Sequence, residues 1–179
     1  MELETARLYL RPLPLECLRQ GARTGDVGPL LGFPPEKASW TSRMASRRIY
    51  AAKTALTEQF PEAWLLCTAW QLITKESVKL VGEAGFKGPP ARGELEIGYG
   101  TRAPYRGRGY MSEAVEALCR FAFVQTVFRI VSVCAATRKD NYASQRVLLN
   151  CGFEHAGDRG RLLLWRRTNH SNEQAEGLP

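Results

Sequence analysis

Apolar and polar residues alternate near the start of the chain, where Ala6–Leu13 puts Leu8 and Leu10 on one face and Arg7, Tyr9 and Arg11 on the other. This period of two predicts a strand, ended by Pro12 and Pro14. Residues 15 to 24 fit a short helix, after which Gly25, Gly28, Gly32 and Pro34-Pro35 mark a flexible connection. Residues 41 to 59 lack glycine and proline, and Met44, Arg48, Ala51, Ala55 and Leu56 give a loose helical face. Three strands follow, Ala63 to Thr74, Lys79 to Lys87 and Glu94 to Thr101, separated by Lys75-Glu76-Ser77 and the loop 88–93. Such short connections suit antiparallel neighbours. The period then changes: Met111, Ala114, Val115, Leu118, Cys119 and Ala122 share one face of a helix ending near Thr126. Ile130–Ala136 is an uncharged run suited to a strand covered on both faces. A helix from Tyr142 to Cys151 has Asn141 as its N-cap and stops at Gly152. Phe153 onward and Arg161 to Arg167 read as closing strands, and from Thr168 the chain is polar and aperiodic. The order predicts a mixed α/β (α+β) domain over residues 1–167, with a frayed tail over 168–179.

With 179 residues, 44% hydrophobic and 24% charged, the chain has the size of one domain with a substantial core. No run of 18 apolar residues occurs, and Met1-Glu2-Leu3-Glu4 is acidic, so neither a membrane span nor a secretory signal is expected. Cys17, Cys67, Cys119, Cys134 and Cys151 are scattered and mostly in apolar surroundings, as reduced thiols of a cytoplasmic protein would be. Without Cys-x-x-Cys or His-x-x-x-His, no metal site is expected. His155 and His170 are the only histidines, and His155 fits a surface strand. Trp40, Trp64, Trp70 and Trp165 fit core positions better than substrate contacts. A net charge of +7 favours an anionic partner, whether nucleic acid, an acidic surface or a phosphate-rich cofactor.

The stretch Arg102–Ser112 narrows that choice. It joins the strand ending at Thr101 to the helix beginning near Met111, and it carries Arg102, Arg106 and Arg108 with no acid among them. Gly107 and Gly109 allow backbone conformations that a side chain resists. The first amides of the helix lack internal partners and sit at the positive end of its dipole, which suits a pyrophosphate. A glycine-rich turn is also an ordinary exit from a strand, and neither a Walker loop nor a full dinucleotide fingerprint is present.

Three features coincide around this turn: the strand Glu96-Ile97-Gly98-Tyr99, the loop Arg106-Gly107-Arg108-Gly109-Tyr110-Met111, and Asn141-Tyr142-Ala143-Ser144 leading to Cys151-Gly152-Phe153. Together they resemble the GNAT superfamily of acyl-CoA-dependent N-acetyltransferases. Glu4–Leu13 and the pattern Asn-x-x-Ser-x-x-Val-Leu-x-x-x-Gly-Phe are similar to its ribosomal-protein N-terminal (RimJ/RimL-like) branch, over about residues 4 to 167. The resemblance implies a mostly antiparallel sheet of about seven strands, flanked by helices and splayed into a V at its centre. It implies acetyl-CoA as acyl donor, with the pyrophosphate on the backbone amides of Arg106, Gly107, Arg108, Gly109, Tyr110 and Met111. Met111 stands where the family usually has Gly or Ala. It further implies that the pantetheine arm pairs with Tyr99, Gly100 and Thr101 beside a bulge, for which Gly100 is also conformationally suited. By similarity Asn141 contacts that arm, a role compatible with helix capping. Ser144 stands where the branch has a hydroxyl near the coenzyme sulfur, while Leu148 replaces the tyrosine of a related branch.

Acyl transfer to an amine needs a neutral nucleophile, an exit for its proton, donors for the developing oxyanion and an acid for the departing thiolate. The first candidate base is Glu96, beside the cofactor strand, followed by Glu83 in the middle strands, with Glu94 closer to a loop. A backbone amide at Tyr99 or Gly100 is the candidate oxyanion donor and Ser144 the candidate acid. An amine of pKa about 8, such as a peptide N-terminus, needs less help than lysine at roughly 10.4. The acceptor, a protein N-terminal or small-molecule amine, is expected between the helical region 14–59 and the loop 88–93. Arg19, Arg23, Arg43, Arg47 and Arg48 there favour a neutral or acidic acceptor. The protein is expected as a monomer or homodimer, with ribosome association as one possible partnership. The competing classes are a non-catalytic acyl-CoA-binding relative and a basic nucleic-acid or ribosome-associated module. The latter lacks aromatic residues interleaved with its basic ones.

Overall fold

Backbone pairing in a computed structural model, which describes residues 1–37 and 39–169, defines eight strands in one sheet. They are β1 (Leu3–Glu4), β2 (Leu8–Pro12), β3 (Trp70–Thr74), β4 (Leu80–Phe86), β5 (Glu94–Thr101), β6 (Ser132–Arg138), β7 (Glu154–Arg159) and β8 (Leu162–Thr168). Their order is β1-β2-β3-β4-β5-β6-β8-β7. Neighbours are antiparallel, apart from the parallel pair β5 and β6. Helices α1 (Leu15–Thr24), α2 (Trp40–Gln59) and the single turn α3 (Trp64–Cys67) lie between β2 and β3 in sequence. Helix α4 (Tyr110–Phe123) makes the crossover that a parallel pair requires, and α5 (Tyr142–Asn150) joins β6 to β7. The expected mixed, mostly antiparallel fold is therefore observed. The eighth strand is the two-residue β1, which pairs Leu3 with Leu10 and is too short to leave a pattern.

Other differences are local. The expected strand Ala63–Thr74 begins only at Trp70. Its first part is a 3-10 turn, Pro61–Ala63, running into α3, and the Leu65 carbonyl at the end accepts from the Trp70 indole at 3.0 Å. The central helix stops at Phe123 rather than near Thr126. Strand β8 continues through Thr168, and Asn169 is buried; the remainder of the expected tail, from residue 170, lies outside the described residues.

Alternation along the strands divides the core between two faces. Leu8, Leu10, Trp70, Leu72, Phe86, Leu95 and Ile97 pack with the apolar face of α4, all six of whose expected residues are buried. On the opposite face a smaller cluster gathers Leu13, Leu18, Val27, Tyr50 and Ala69 under α1 and α2. Helices α1 and α2 meet over Gly21, where a Cβ would lie 2.7 Å from the Tyr50 ring. Trp70 and Trp165 fill the core as expected, whereas Trp40 at the start of α2 is exposed because it occupies the helix's first position, outside both clusters.

Candidate active site

The ladder between β5 and β6 has three rungs, Glu94↔Ser132, Leu95↔Val133 and Glu96↔Cys134. Beyond Glu96 the strands part: Ile97–Thr101 stay with β4, while Ala135–Arg138 stay with β8. The sheet is thus split into a V, and the β6-facing edge of Ile97–Thr101 presents backbone donors and acceptors to whatever enters. The expected bulge at Gly100 is absent from the β4–β5 ladder, whose register runs unbroken through Glu83↔Gly100 and Gly82↔Thr101. The strands part without a bulge there, β6 continuing its ladder with β8 through Arg138. Register shifts lie instead on the β3–β4 ladder, between Leu72 and Ile73, and on the β7–β8 ladder, between His155 and Gly157. Gly82 permits close approach at the wide end, since a Cβ on it would lie 2.5 Å from the Gly100 carbonyl oxygen.

The glycine turn follows directly from that wide end. A 3-10 turn, Ala103–Tyr105, leads into Gly107 and Gly109, whose φ values of +73° and +76° favour glycine. Gly109 is the N-cap of α4, so the first-turn amides face outward at the helix's positive end. A Cβ on Gly107 would meet nothing within 4 Å; backbone conformation, not space, requires glycine there. Arg106 and Arg108 are exposed, while Met111 is 5% exposed in the core, so its bulk points away from the turn. These amides, the glycine cradle and the free β5 edge fit the diphosphate and amide-bearing arm of acetyl-CoA.

Tyr99 and Ser144 meet on the α4 side of the V. The Ser144 hydroxyl donates to Tyr99 Oη at 2.9 Å, and the phenol donates to the Ser144 carbonyl at 3.0 Å. Burial pushes the Tyr99 phenol up to about 12, partly offset by the hydrogen bond from Ser144. Asn141 caps α5, its side chain accepting from the Ser144 amide at 3.2 Å. Leu148 is fully buried.

The carboxylates face the other side. Glu83 pairs with Gly100 across the ladder, and Glu96 shares the Gly100 face of β5, about 13 Å further along. Glu83 Oε2 accepts from Tyr50 Oη at 2.6 Å and from Gln71 Nε2 at 3.1 Å. Burial, then the neighbouring Glu83 charge, pushes the Tyr50 phenol far up, so it remains a donor. Glu96 lies on the last closed rung, where Lys87 is bound to its carboxylate. Glu94 is held by Arg166 at 2.6 Å and Ser132 at 3.1 Å. Beside Glu83, Lys53 donates to the carbonyls of Thr68 at 2.8 Å, Phe86 at 2.9 Å and Cys67 at 3.4 Å. Burial lowers its pKa to about 8, against an opposing pull from Glu83. Arg102, just after β5, pairs with Asp26 at 3.4 Å and Glu36 at 3.5 Å, fastening the loop after α1 to the glycine turn. His155 lies on β7 as a surface residue, its ring against Asp158 at 2.8 Å.

Thus Tyr99, Gly100 and Glu83 meet at the open V, with Ser144 and Asn141 on one side, whereas Glu96 stands at its closed end. Tyr50, Gln71, Lys53, Arg7 and Glu113 escaped the sequence reading. Tyr50 and Lys53 lie in the helical region 41–59 but off the face that Met44, Arg48, Ala51, Ala55 and Leu56 mark, and no local signal couples Arg7 to Glu113, 106 residues away.

The model of the acetyltransferase (GNAT) domain family matches residues 7–154, and the chain belongs to that family. It is 37% identical over 87 residues to the "Uncharacterized N-acetyltransferase YjdG" of Bacillus subtilis (strain 168), a match spanning 48% of this chain and 50% of that protein. The ribosomal-protein-S5-alanine acetyltransferase of Vibrio fischeri has a similar fold, at a TM-score of 0.66 and 17% identity over 95% of this chain and 97% of that one. The GNAT-family protein of Bordetella pertussis gives a TM-score of 0.67 at 21% identity, covering 94% and 99%. RimL, the ribosomal L7/L12 alpha-N-protein acetyltransferase, solved with coenzyme A, gives 0.65 at 17%, covering 94% and 98%.

Proposed function

We propose that this chain transfers the acetyl group of acetyl-CoA to an amine by direct attack in a ternary complex. The acceptor is the α-amine of a protein N-terminus or a small-molecule amine. The reading rests on one observation above all: the outward amides of the glycine turn lie at the wide end of the β5–β6 gap. In it, the amides of Arg106–Met111 bind the diphosphate, the backbone of Tyr99 and Thr101 takes the pantetheine arm, the backbone of Gly100 being turned instead to Glu83 in the β4–β5 ladder, and Asn141 flanks that arm. Bound acetyl-CoA supplies an activated acetyl group and a thiolate leaving group. On the α5 side, the Ser144 hydroxyl turns from Tyr99 to give its proton to the leaving thiolate and regains one from water in the same step. On the α2 side, Glu83, fixed by Tyr50 and Gln71, takes the amine's proton directly or through water. Glu96 is the lesser candidate, because Lys87 already holds its carboxylate at the closed end.

Two fold neighbours are named for ribosomal-protein acceptors, which supports a RimJ/RimL-like assignment and a cytoplasmic role near the ribosome. A thiol-release assay with acetyl-CoA, run over peptide N-termini, polyamines and amino acids with mass detection of product, tests the proposal. Turnover with an α-amine is expected. Coenzyme binding without turnover on any acceptor would identify a sensor, and failure to bind coenzyme A would end the acyltransferase reading.

A further inference from the structure

An acid, Glu113, sits in the first turn of α4, where its charge would repel a diphosphate. Both of its oxygens are occupied. Oε1 accepts from the Arg7 backbone amide at 2.7 Å and from the Thr5 hydroxyl at 2.5 Å, and Oε2 accepts from Arg7 Nε at 2.7 Å. Burial resists ionisation of this carboxyl, but the bonds from Thr5 and Arg7 outweigh it and hold the group below the usual carboxylate range. The other edge of the same guanidinium reaches the glycine turn, where Nη1 donates to the Arg108 carbonyl at 3.0 Å. All described peptide bonds are trans, so fixing that carbonyl aims the Gly109 N–H of the same peptide plane in the opposite direction, away from Arg7. Gly109 allows this close approach: a Cβ there would lie 3.3 Å from Arg7 Nη2. Arg7 also lies over the Tyr110 ring, 4.8 Å from its centroid, which restricts the guanidinium to this bracket.

We propose that Arg7 is a positioning residue for the donor's diphosphate, neutralising Glu113 with one edge and orienting the Gly109 amide with the other. It touches no ligand itself. The inference rests on the coenzyme reading of the turn. Arg7 is half exposed, and an ion pair of that exposure contributes little to folding. Its effect therefore falls on binding.

The test is calorimetric titration of the full chain with coenzyme A, comparing wild type with Arg7→Met, which keeps the apolar stem and loses the donors. Thermal melting follows folding. Pantetheine, which has the arm and lacks the diphosphate, competes in the same assay. The variant is expected to bind coenzyme A about tenfold more weakly, about 1.4 kcal/mol, with pantetheine changed by less than about twofold. An unchanged coenzyme A affinity, or an equal loss for both ligands, overturns the role. If Arg7→Met does not fold, Arg7→Lys carries the same comparison, because a single ammonium retains the charge but cannot span Glu113 and the Arg108 carbonyl. A wild-type chain that does not bind coenzyme A overturns the functional reading itself.

Discussion

Replacing Lys53 with methionine keeps most of a long apolar stem while removing the ammonium that three carbonyls surround. The pH dependence of stability is where the loss becomes measurable. The group's pKa falls from 10.5 to about 8 because its surroundings are dry, so the folded chain releases the proton before the unfolded chain does. Below about pH 8 both states hold the proton, and folding bears the full cost of burying the charge. Between about 8 and 10.5 the unfolded state binds more protons than the folded one, so stability rises with pH. The displacement corresponds to about 3 kcal/mol over that window. A neutral amine still donates two hydrogens, enough for the carbonyls of Thr68 and Phe86, so the gain is not undone by their loss. Urea unfolding of wild type and Lys53→Met at several pH values from 7 to 10.5 measures the effect. Other groups titrate in both proteins, the Cys119 thiol among them, pushed up by burial to about 12; the difference between the two chains removes them. That difference should grow in favour of wild type by about 3 kcal/mol as pH rises. A constant difference would refute the dry environment assigned to this lysine.

Three further outcomes are expected. Ser144→Ala should lower kcat by about 100-fold or more while leaving coenzyme A affinity nearly unchanged, as steady-state kinetics with calorimetry would show. Glu83→Gln should cost more with an amine of pKa about 10 than with a peptide α-amine near 8, and equal losses on both acceptors would argue against a base at this position. Gly82→Ala should destabilise the fold by about 1–3 kcal/mol in urea unfolding, because its methyl would sit 2.5 Å from a backbone oxygen that cannot rotate away.

The elements with clean periods were legible in the sequence. Met111 to Ala122 announced α4, and Glu94–Thr101 announced β5 to the residue. The segment 63–69 was not, because an apolar stretch buried nearly throughout has no period to separate helix from strand, and Pro61 at the first position of a turn is the one local mark of a helical start. The glycine turn before α4 was legible because glycine acts through local backbone geometry. The groups around it were not, because Tyr50 reaches Glu83 and Tyr99 reaches Ser144 only after the sheet has formed. Which of Glu83 and Glu96 lies at the open end of the V likewise depends on the rung each carboxylate occupies, and a strand's sequence does not state where its partner leaves.

With only three rungs joining β1–β5 to β6–β8, the sheet is two antiparallel panels sewn by a short seam. When the panels are pulled apart across the sheet, that seam should tear before the longer ladders on either side. A donor molecule lying in the gap would act as a removable stitch, so mechanical toughness in this protein is expected to follow the supply of its own substrate.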